Sequence, residues 1–394
     1  MKALITATVY GFVGSFEKNN IHLLQELGYD VTVAVNTMIM NRGQLDNENI
    51  KLVDIPYSRS PFSAGNDAAY KKLLALMEKE QFDLIHCHTP VAGVLARKAA
   101  AKVAAEGGKK AKVIYSAHGF HFYKGAPAFN WLSFYNIEKK WAKYTDVIIT
   151  INHEDYLRAH EKLHPRMSVR YVPGVGVDTK GIAEAVRKSD SVEIRKKLGV
   201  PSDAFLVIST GEMNKNKNHE LVIRAVAKLV KEEPEKSARL HYVIIGDGPL
   251  KEELKKLAES LHVADRVHLV GYLEKPYMYS SAADLFVLPS KREGLCVSLV
   301  EAMAAGTPAL TGDIRGNRDL MQGVRLDVKN RFIPLFDPAN VDELSEKIAF
   351  LMEHDDIRKE LGNLNAERAA DFDREKSMAR MREIYTSVTE STVQ

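Results

Sequence analysis

The sequence predicts an α/β protein made of two doubly wound, Rossmann-like domains facing a central cleft. Three observations carry that prediction. Short apolar runs alternate with helix-like runs from end to end, the pattern of parallel sheets covered by helices on both faces. The pattern stops and restarts once, across VPGVGVD at 172–178, where a proline and two glycines make a natural linker. The 394 residues suffice for two domains of ordinary size.

In chain order, the first series of predicted strands is ALITATV, YDVTVAV, IKLVDI, DLIHCHT, KVIYSAH, DVIITIN and VRYVPG. Helical stretches such as FEKNNIHLLQEL and DAAYKKLLALMEKEQ lie between several of them. The second series is FLVIST, YVIIGDG, RVHLVGY, DLFVLPS and TPALTG, and a charged helical region follows from about residue 340. These boundaries give a first domain over 1–175 and a second over 176–371. A C-terminal helix, about 372–394, is expected to pack back on the first domain.

Apolar residues at 45% and charged residues at 27% match a soluble globular protein. No apolar run reaches the ~18 residues that would cross a bilayer. The opening MKALITATV reads as a buried strand rather than a leader, because no cleavage site follows it. Two distant cysteines, Cys87 and Cys296, fit a reducing compartment and form no metal pattern. Net charge is only +3, but residues 97–143 hold ten bases against two acids, which points to an anionic partner for that segment.

In open α/β sheets, ligands sit beyond the carboxyl ends of the strands, so the residues after each strand matter most. After FLVIST, Gly211 allows a close turn, and Lys215 and Lys217 precede a helix. A lysine at a helix N-terminus makes an anion site, although a polar turn capped by asparagine reads equally well. The turn GDGP at 246–249 reads as structural. After DLFVLPS comes the loop KREGL, then a helix ended by Gly306 with Pro308 beyond. N–H groups near Leu295, Cys296 and Val297 would be free for phosphate oxygens. Glu293 lies on the loop and Glu301 within the helix, where a carboxylate suits a pair of sugar hydroxyls. Two solvated helix charges are the bland alternative. In the first domain, Gly14 permits close backbone approach, but Gly11 and Gly14 do not make a dinucleotide fingerprint. His118 stands at a strand end beside Gly119, and His86 and His88 are similar candidates. Spacing offers no third or fourth ligand for a metal.

The stretch EGLCVSLVEAMAAGTP resembles the Glu-x7-Glu signature of the retaining glycosyltransferases of family four, which have the two-domain GT-B fold. GEMNKNKNHELVIRA stands where that family has its phosphate motif, and SAHGFHFYKGAPAFNW, VPGVGVD and DIRGNRDLM resemble its bacterial capsule and exopolysaccharide branch. The resemblance implies that Lys217 binds the donor diphosphate and Glu301 the nucleotide ribose. It implies that Glu293, with the N–H groups of Gly294, Leu295, Cys296 and Val297, grips the donor sugar and phosphate. It places Gly14 beside the phosphates and His118 beside the reacting sugar carbon, so that His118 and Glu293 are the catalytic candidates. One departure is Glu212, where most of the family has arginine; Asn214, Lys215 or Arg292 would then meet the second phosphate charge.

The expected reaction is transfer of a sugar from a nucleotide sugar, UDP-hexosamine or UDP-hexose, with retention. Acceptor attack would come from the leaving-group face, its proton passing to the departing phosphate. No D-x-D motif follows a strand, so no cofactor and no obligate metal are expected. The basic stretch 97–143 holds both tryptophans, Trp131 and Trp141, among other aromatics. Phe120, Lys124, Trp131, Lys139 and Lys140 are its candidates for an acceptor or membrane surface. The expected partners are a polyprenyl-diphosphate-linked saccharide and the anionic inner face of the bacterial cytoplasmic membrane, with the protein cytoplasmic and peripheral there, and no nucleic acid. A nucleotide-sugar epimerase of the same fold and an inactive binding scaffold are the alternatives. The sequence names neither the sugar nor the oligomeric state.

Overall fold

The structure, a computed structural model, describes residues 1–38, 45, 48–61, 63–326 and 332–390. It divides into two compact units, Met1–Val175 with Glu375–Gln394, and Gly176–Arg374.

The first unit is built on a seven-stranded parallel sheet. Its strands are β1 (Lys2–Val9), β2 (Asp30–Asn36), β3 (Lys51–Asp54), β4 (Leu84–His88), β5 (Lys112–Ala117), β6 (Val147–Thr150) and β7 (Ser168–Tyr171), in spatial order β3-β2-β1-β4-β5-β6-β7. Central strands are apolar on both faces because helices cover both; β4 is buried at every position. One face packs under Leu73, Ala96, Phe122 and their neighbours. The other packs under Ile21 and Leu24, and under Met381, Ile384, Tyr385 and Val388 of the helix Arg374–Glu390. Residues 391–394 lie outside the described residues.

The second unit holds β8 (Phe205–Thr210), β9 (Leu240–Ile245), β10 (Val267–Gly271), β11 (Leu285–Leu288), β12 (Ala309–Gly312) and β13 (Leu335–Phe336), in order β10-β9-β8-β11-β12-β13, all parallel. The two-residue β13 carries too short a run to register as an apolar strand in the sequence. Its core is one cluster in which Leu221, Val222, Ile223, Ala225, Val226 and Leu229 of the helix His219–Glu232 cover the sheet.

Each sheet reverses its winding once, between β1 and β4 in the first unit and between β8 and β11 in the second. Adjoining loops diverge at such a point and leave a crevice at the strand ends.

Candidate functional site

In the second unit, the turn after β8 and the loop after β11 are tied together by asparagines at alternate positions. Asn214 Oδ1 accepts from the N–H groups of Asn216 and Lys217, each at 2.9 Å, and so closes the turn. Asn216 Nδ2 donates to Arg292 O at 2.8 Å, bridging the two loops. Asn218 takes a left-handed conformation at φ 58° and donates to the carbonyls of Pro289 at 3.1 Å and Pro338 at 2.9 Å. Behind the turn lies the GDGP stretch: Met213 N donates to Asp247 O at 3.0 Å, and a Cβ on Gly246 would lie 2.0 Å from Gly211 O.

This framework brings Lys217 Nζ to 2.8 Å from Glu293 Oε1 and 3.8 Å from Cys296 Sγ. Both charged side chains are mostly buried, at 18% and 14% exposure. Burial alone would lower the Lys217 pKa; the neighbouring Cys296 and Glu293 outweigh it, and the net shift is upward. Lys217 is therefore a fixed cation. The helix Val297–Ala304 begins beside it, with Cys296 at its N-cap and no side chain capping it, so its first N–H groups are open to an anion. Gly294 and Leu295 shape the loop before that helix. A Cβ on Gly316 would lie 2.1 Å from Gly294 O, and Arg315 Nε donates to Glu293 O at 3.3 Å. Within the helix, the Glu301 carboxyl has no hydrogen-bond partner among the described residues, and burial pushes it up to about 7.

The structure thus brings Lys217, Glu293, Gly294, Leu295, Cys296 and Val297 together. Asn214 is not a free phosphate ligand: its oxygen holds the turn and its Nδ2 donates to Glu212 Oε2 at 2.9 Å. The side chains of Lys215 and Arg292 form no ion pair among the described residues, so both cations remain open to a ligand. Sequence reasoning missed Asn216, Asn218, Arg315 and Gly316. The N-x-N-x-N spacing of 214–218 was the available signal for the asparagines.

In the first unit, Gly14 does not lie on a loop. It is buried inside the helix Tyr10–Phe16, which starts directly after β1. Glu17, His88 and His118 converge instead, Glu17 from after the helix that follows β1, His88 as the last residue of β4 and His118 from just beyond β5. His88 Nδ1 lies 3.1 Å from His118 Nε2 and 3.3 Å from Glu17 Oε1. Phe12 packs against both rings, at 4.7 Å from His118 and 5.7 Å from His88. Beneath them, His86 is fully bonded, with Nδ1 at 2.7 Å from Tyr385 Oη and Nε2 at 2.8 Å from Ser116 Oγ. Burial lowers all three histidines, His86 to about 3, His118 to about 4 and His88 well below its ordinary value. Burial raises Glu17 to about 8 against the opposing bond from Asn20. Thr89, next in chain, holds φ at 61°, a strained value for a β-branched residue. Spacing alone showed no third ligand near the histidines; the fold supplies Glu17, and the three ligand atoms lie within 4.8 Å of one another.

The aromatic, basic stretch is split by burial. Phe120 is 3% exposed and part of the core, so it cannot belong to a surface. Trp131 packs inward on Phe122 and Tyr135. Lys124, Lys139 and Lys140 are exposed, as are Phe129 at 59% and Leu132 at 72%. The buried pair Arg97–Glu138, at 2.8 Å and joined by Tyr115 Oη, turns Glu138 inward and leaves its lysine neighbours outside.

The chain matches two family models, "Glycosyl transferases group 1" over residues 190–368 and "Glycosyl transferase 4-like" over 4–152. It is 35% identical over 387 residues to the "Putative glycosyltransferase EpsD" of Bacillus subtilis, covering 98% of this chain and 96% of that one. It is 30% identical over 265 residues to an Escherichia coli "UDP-Gal:alpha-D-GlcNAc-diphosphoundecaprenol alpha-1,3-galactosyltransferase", covering 66% and 63%. Among solved structures, Anabaena HepE in complex with UDP superposes with a TM-score of 0.74 at 19% identity, covering 98% and 100%. Sucrose-phosphate synthase from Thermosynechococcus elongatus gives 0.76 at 17%, covering 99% and 100%. At these identities the structures show the fold alone.

Proposed function

Because the chain belongs to the group 1 glycosyltransferases of family four and has their GT-B fold, we propose that it moves a hexose or hexosamine from a UDP-sugar to a polyprenyl-diphosphate-linked saccharide, with retention, in exopolysaccharide or capsule synthesis. The observation that carries the reading is Lys217 held 2.8 Å from Glu293 beside an uncapped helix N-terminus. The acceptor class is supported by the E. coli relative, whose name includes a diphosphoundecaprenol acceptor.

In this reading the second unit binds the donor. Lys217 and the first N–H groups of Val297–Ala304 take the diphosphate and meet the charge that grows as the sugar–phosphate bond breaks, where fixed donors act most strongly. Lys215 and Arg292 supply the cation that Glu212 does not. Glu293 leaves Lys217 for the sugar hydroxyls, and Glu301 accepts from the ribose. The acceptor hydroxyl attacks from the leaving-group face, and its proton passes to the departing phosphate. These cations do that work without an obligate metal. The first unit binds the acceptor, with His118 as its candidate catalytic residue, and Lys124, Lys139 and Lys140, with Phe129 and Leu132, meet the anionic inner membrane surface.

The test incubates purified protein with UDP-sugars, with and without a synthetic polyprenyl-diphosphate saccharide, and analyses products by mass spectrometry. Sugar-extended lipid and UDP only when acceptor is present support the reading. Conversion of the donor without acceptor would make it an epimerase, and failure to bind any nucleotide sugar would make it a scaffold.

A further inference from the structure

We propose that a cavity on the outer edge of the first sheet binds an acidic sugar residue of a saccharide chain. β7 is the last strand of that sheet, and among the described residues its one neighbour is β6. Two helices flank its open side from opposite faces. One is His153–Lys162, whose Ala159 belongs to one core cluster; the other is Arg374–Glu390, whose Met381 and Ile384 belong to the other cluster. Between them lies a cavity of about 400 Å³, within the ~300–1,000 Å³ of small-ligand sites. Its lining comes from the first unit throughout.

Three observations point to the ligand. First, the wall is aromatic. The Tyr156 and Tyr171 rings border the cavity 6.3 Å apart at 56°, and Val169 and Ile384 add apolar lining. The C–H face of a pyranose packs on such rings while its hydroxyls stay at the polar rim. The row continues along the helix. His153, Tyr156 and His160 recur at three- and four-residue spacing, with successive rings 6.0 and 5.9 Å apart, so a chain of sugars can follow it.

Second, two cations line the cavity without a counter-ion. Arg170 Nε donates to Ser168 Oγ at 3.1 Å, and Arg380 Nη1 donates to Tyr171 O at 3.2 Å. Neither guanidinium has a carboxylate partner among the described residues, and each keeps further N–H donors for a ligand. A guanidinium fork held in place suits a planar carboxylate. The Arg380 bond also occupies a carbonyl of the edge strand, which opposes addition of a further peptide strand there.

Third, Glu383 and Ser387 line the same cavity. Arginine only donates, a carboxylate only accepts and a hydroxyl does both, so the lining meets both halves of the hydrogen bonds that sugar hydroxyls make. Arg170, Arg380 and Glu383 together carry a net charge of +1, the complement of one uronic carboxylate rather than of a nucleoside diphosphate.

Full-length protein is tested with no nucleotide sugar and no lipid acceptor, so failure here is distinct from failure of the transferase reading. Calorimetry titrates tetragalacturonic acid, a hyaluronan tetrasaccharide, the methyl ester of each, and UDP. At least one acid is expected to bind at one per chain. Its methyl ester should bind at least about tenfold more weakly, as should the acid to Arg170→Ala, the scale of one charge-assisted hydrogen bond. Tyr156→Ala should weaken acid and ester alike. Circular dichroism checks that both variants fold. A Lys139→Ala, Lys140→Ala double variant, altered at exposed lysines outside the cavity, should bind the acid as the wild type does. The proposal is overturned if neither acid binds, or if Arg170→Ala and Tyr156→Ala leave binding unchanged. It is equally overturned if the double lysine variant loses as much affinity as Arg170→Ala, which is general charge attraction, or if Arg170→Ala weakens UDP as much as the acid, which makes the ligand a nucleotide.

Discussion

Lys217 Nζ and Glu293 Oε1 lie 2.8 Å apart although they come from the ends of two different strands, β8 and β11. Lys217→Ala removes a cation aimed at the leaving group and leaves the mostly buried Glu293 without its partner. Transfer kcat is expected to fall about 10²–10³-fold, the scale for losing one fixed transition-state donor. Steady-state kinetics check this, and undiminished activity would remove Lys217 from the site.

Glu301 makes donor binding depend on pH. Its carboxyl sits near 7 in the free protein because it is buried, and only the carboxylate accepts from two ribose hydroxyls. UDP affinity should therefore rise about tenfold between pH 6 and pH 8, following the ionised fraction. Glu301→Gln should bind more weakly at pH 8 and show no such slope. The same shift acts on stability with the opposite sense. The native group holds its proton more tightly than the unfolded one, so its stabilisation is full below about 4.5 and is lost as pH rises through about 7. Calorimetric titration and thermal melts across this window test both signs.

Asn218→Ala loses two hydrogen bonds and keeps a left-handed backbone that alanine disfavours. The expected cost is about 2–4 kcal/mol in urea unfolding. Asn218→Gly removes the same bonds without the backbone penalty and should cost about 1–2 kcal/mol less.

Gly316→Ala puts a methyl 2.1 Å from Gly294 O. The loop carrying Glu293 must move, so nucleotide affinity should fall more than melting temperature does. Parallel thermal-shift assays with and without UDP separate the two effects. Equal loss of both would show a merely structural role.

Phe129 and Leu132 are exposed apolar residues on the same helical stretch, 128–142, as the exposed Lys139 and Lys140. A Phe129→Ser, Leu132→Ser double variant should release the protein from anionic vesicles at low salt without changing its melting temperature. Flotation measures it. A wild-type protein that ignores such vesicles would end the membrane reading.

Most of the fold was legible because buried parallel strands are short, largely apolar runs; the edge strands β3 and β7, only partly buried, carry a weaker version of the same signal. The two residues of β13 are too few to do so. The second-unit site was legible where a residue type carries its chemistry openly, as Lys217, Glu293 and Glu301 do. Asn216 and Arg315 act through backbone carbonyls, Arg292 O and Glu293 O; the N-x-N-x-N spacing hinted at the first and no local pattern reveals the second. Glu17 was invisible because it meets His88 and His118 only once the chain has folded. Phe120 misled for the opposite reason: an aromatic beside lysines in sequence faced the core.

The bond between His86 Nδ1 and Tyr385 Oη joins positions 299 residues apart, and it has a consequence for biosynthesis. The second unit, 176–374, is contiguous and is complete before the last helix leaves the ribosome. The first unit, although synthesised first, lacks Met381, Ile384, Tyr385 and Val388 on one face of its sheet until the final turn of that helix emerges. The amino-terminal half is therefore the last to finish folding, and a premature stop near the carboxyl end damages the unit that was made first.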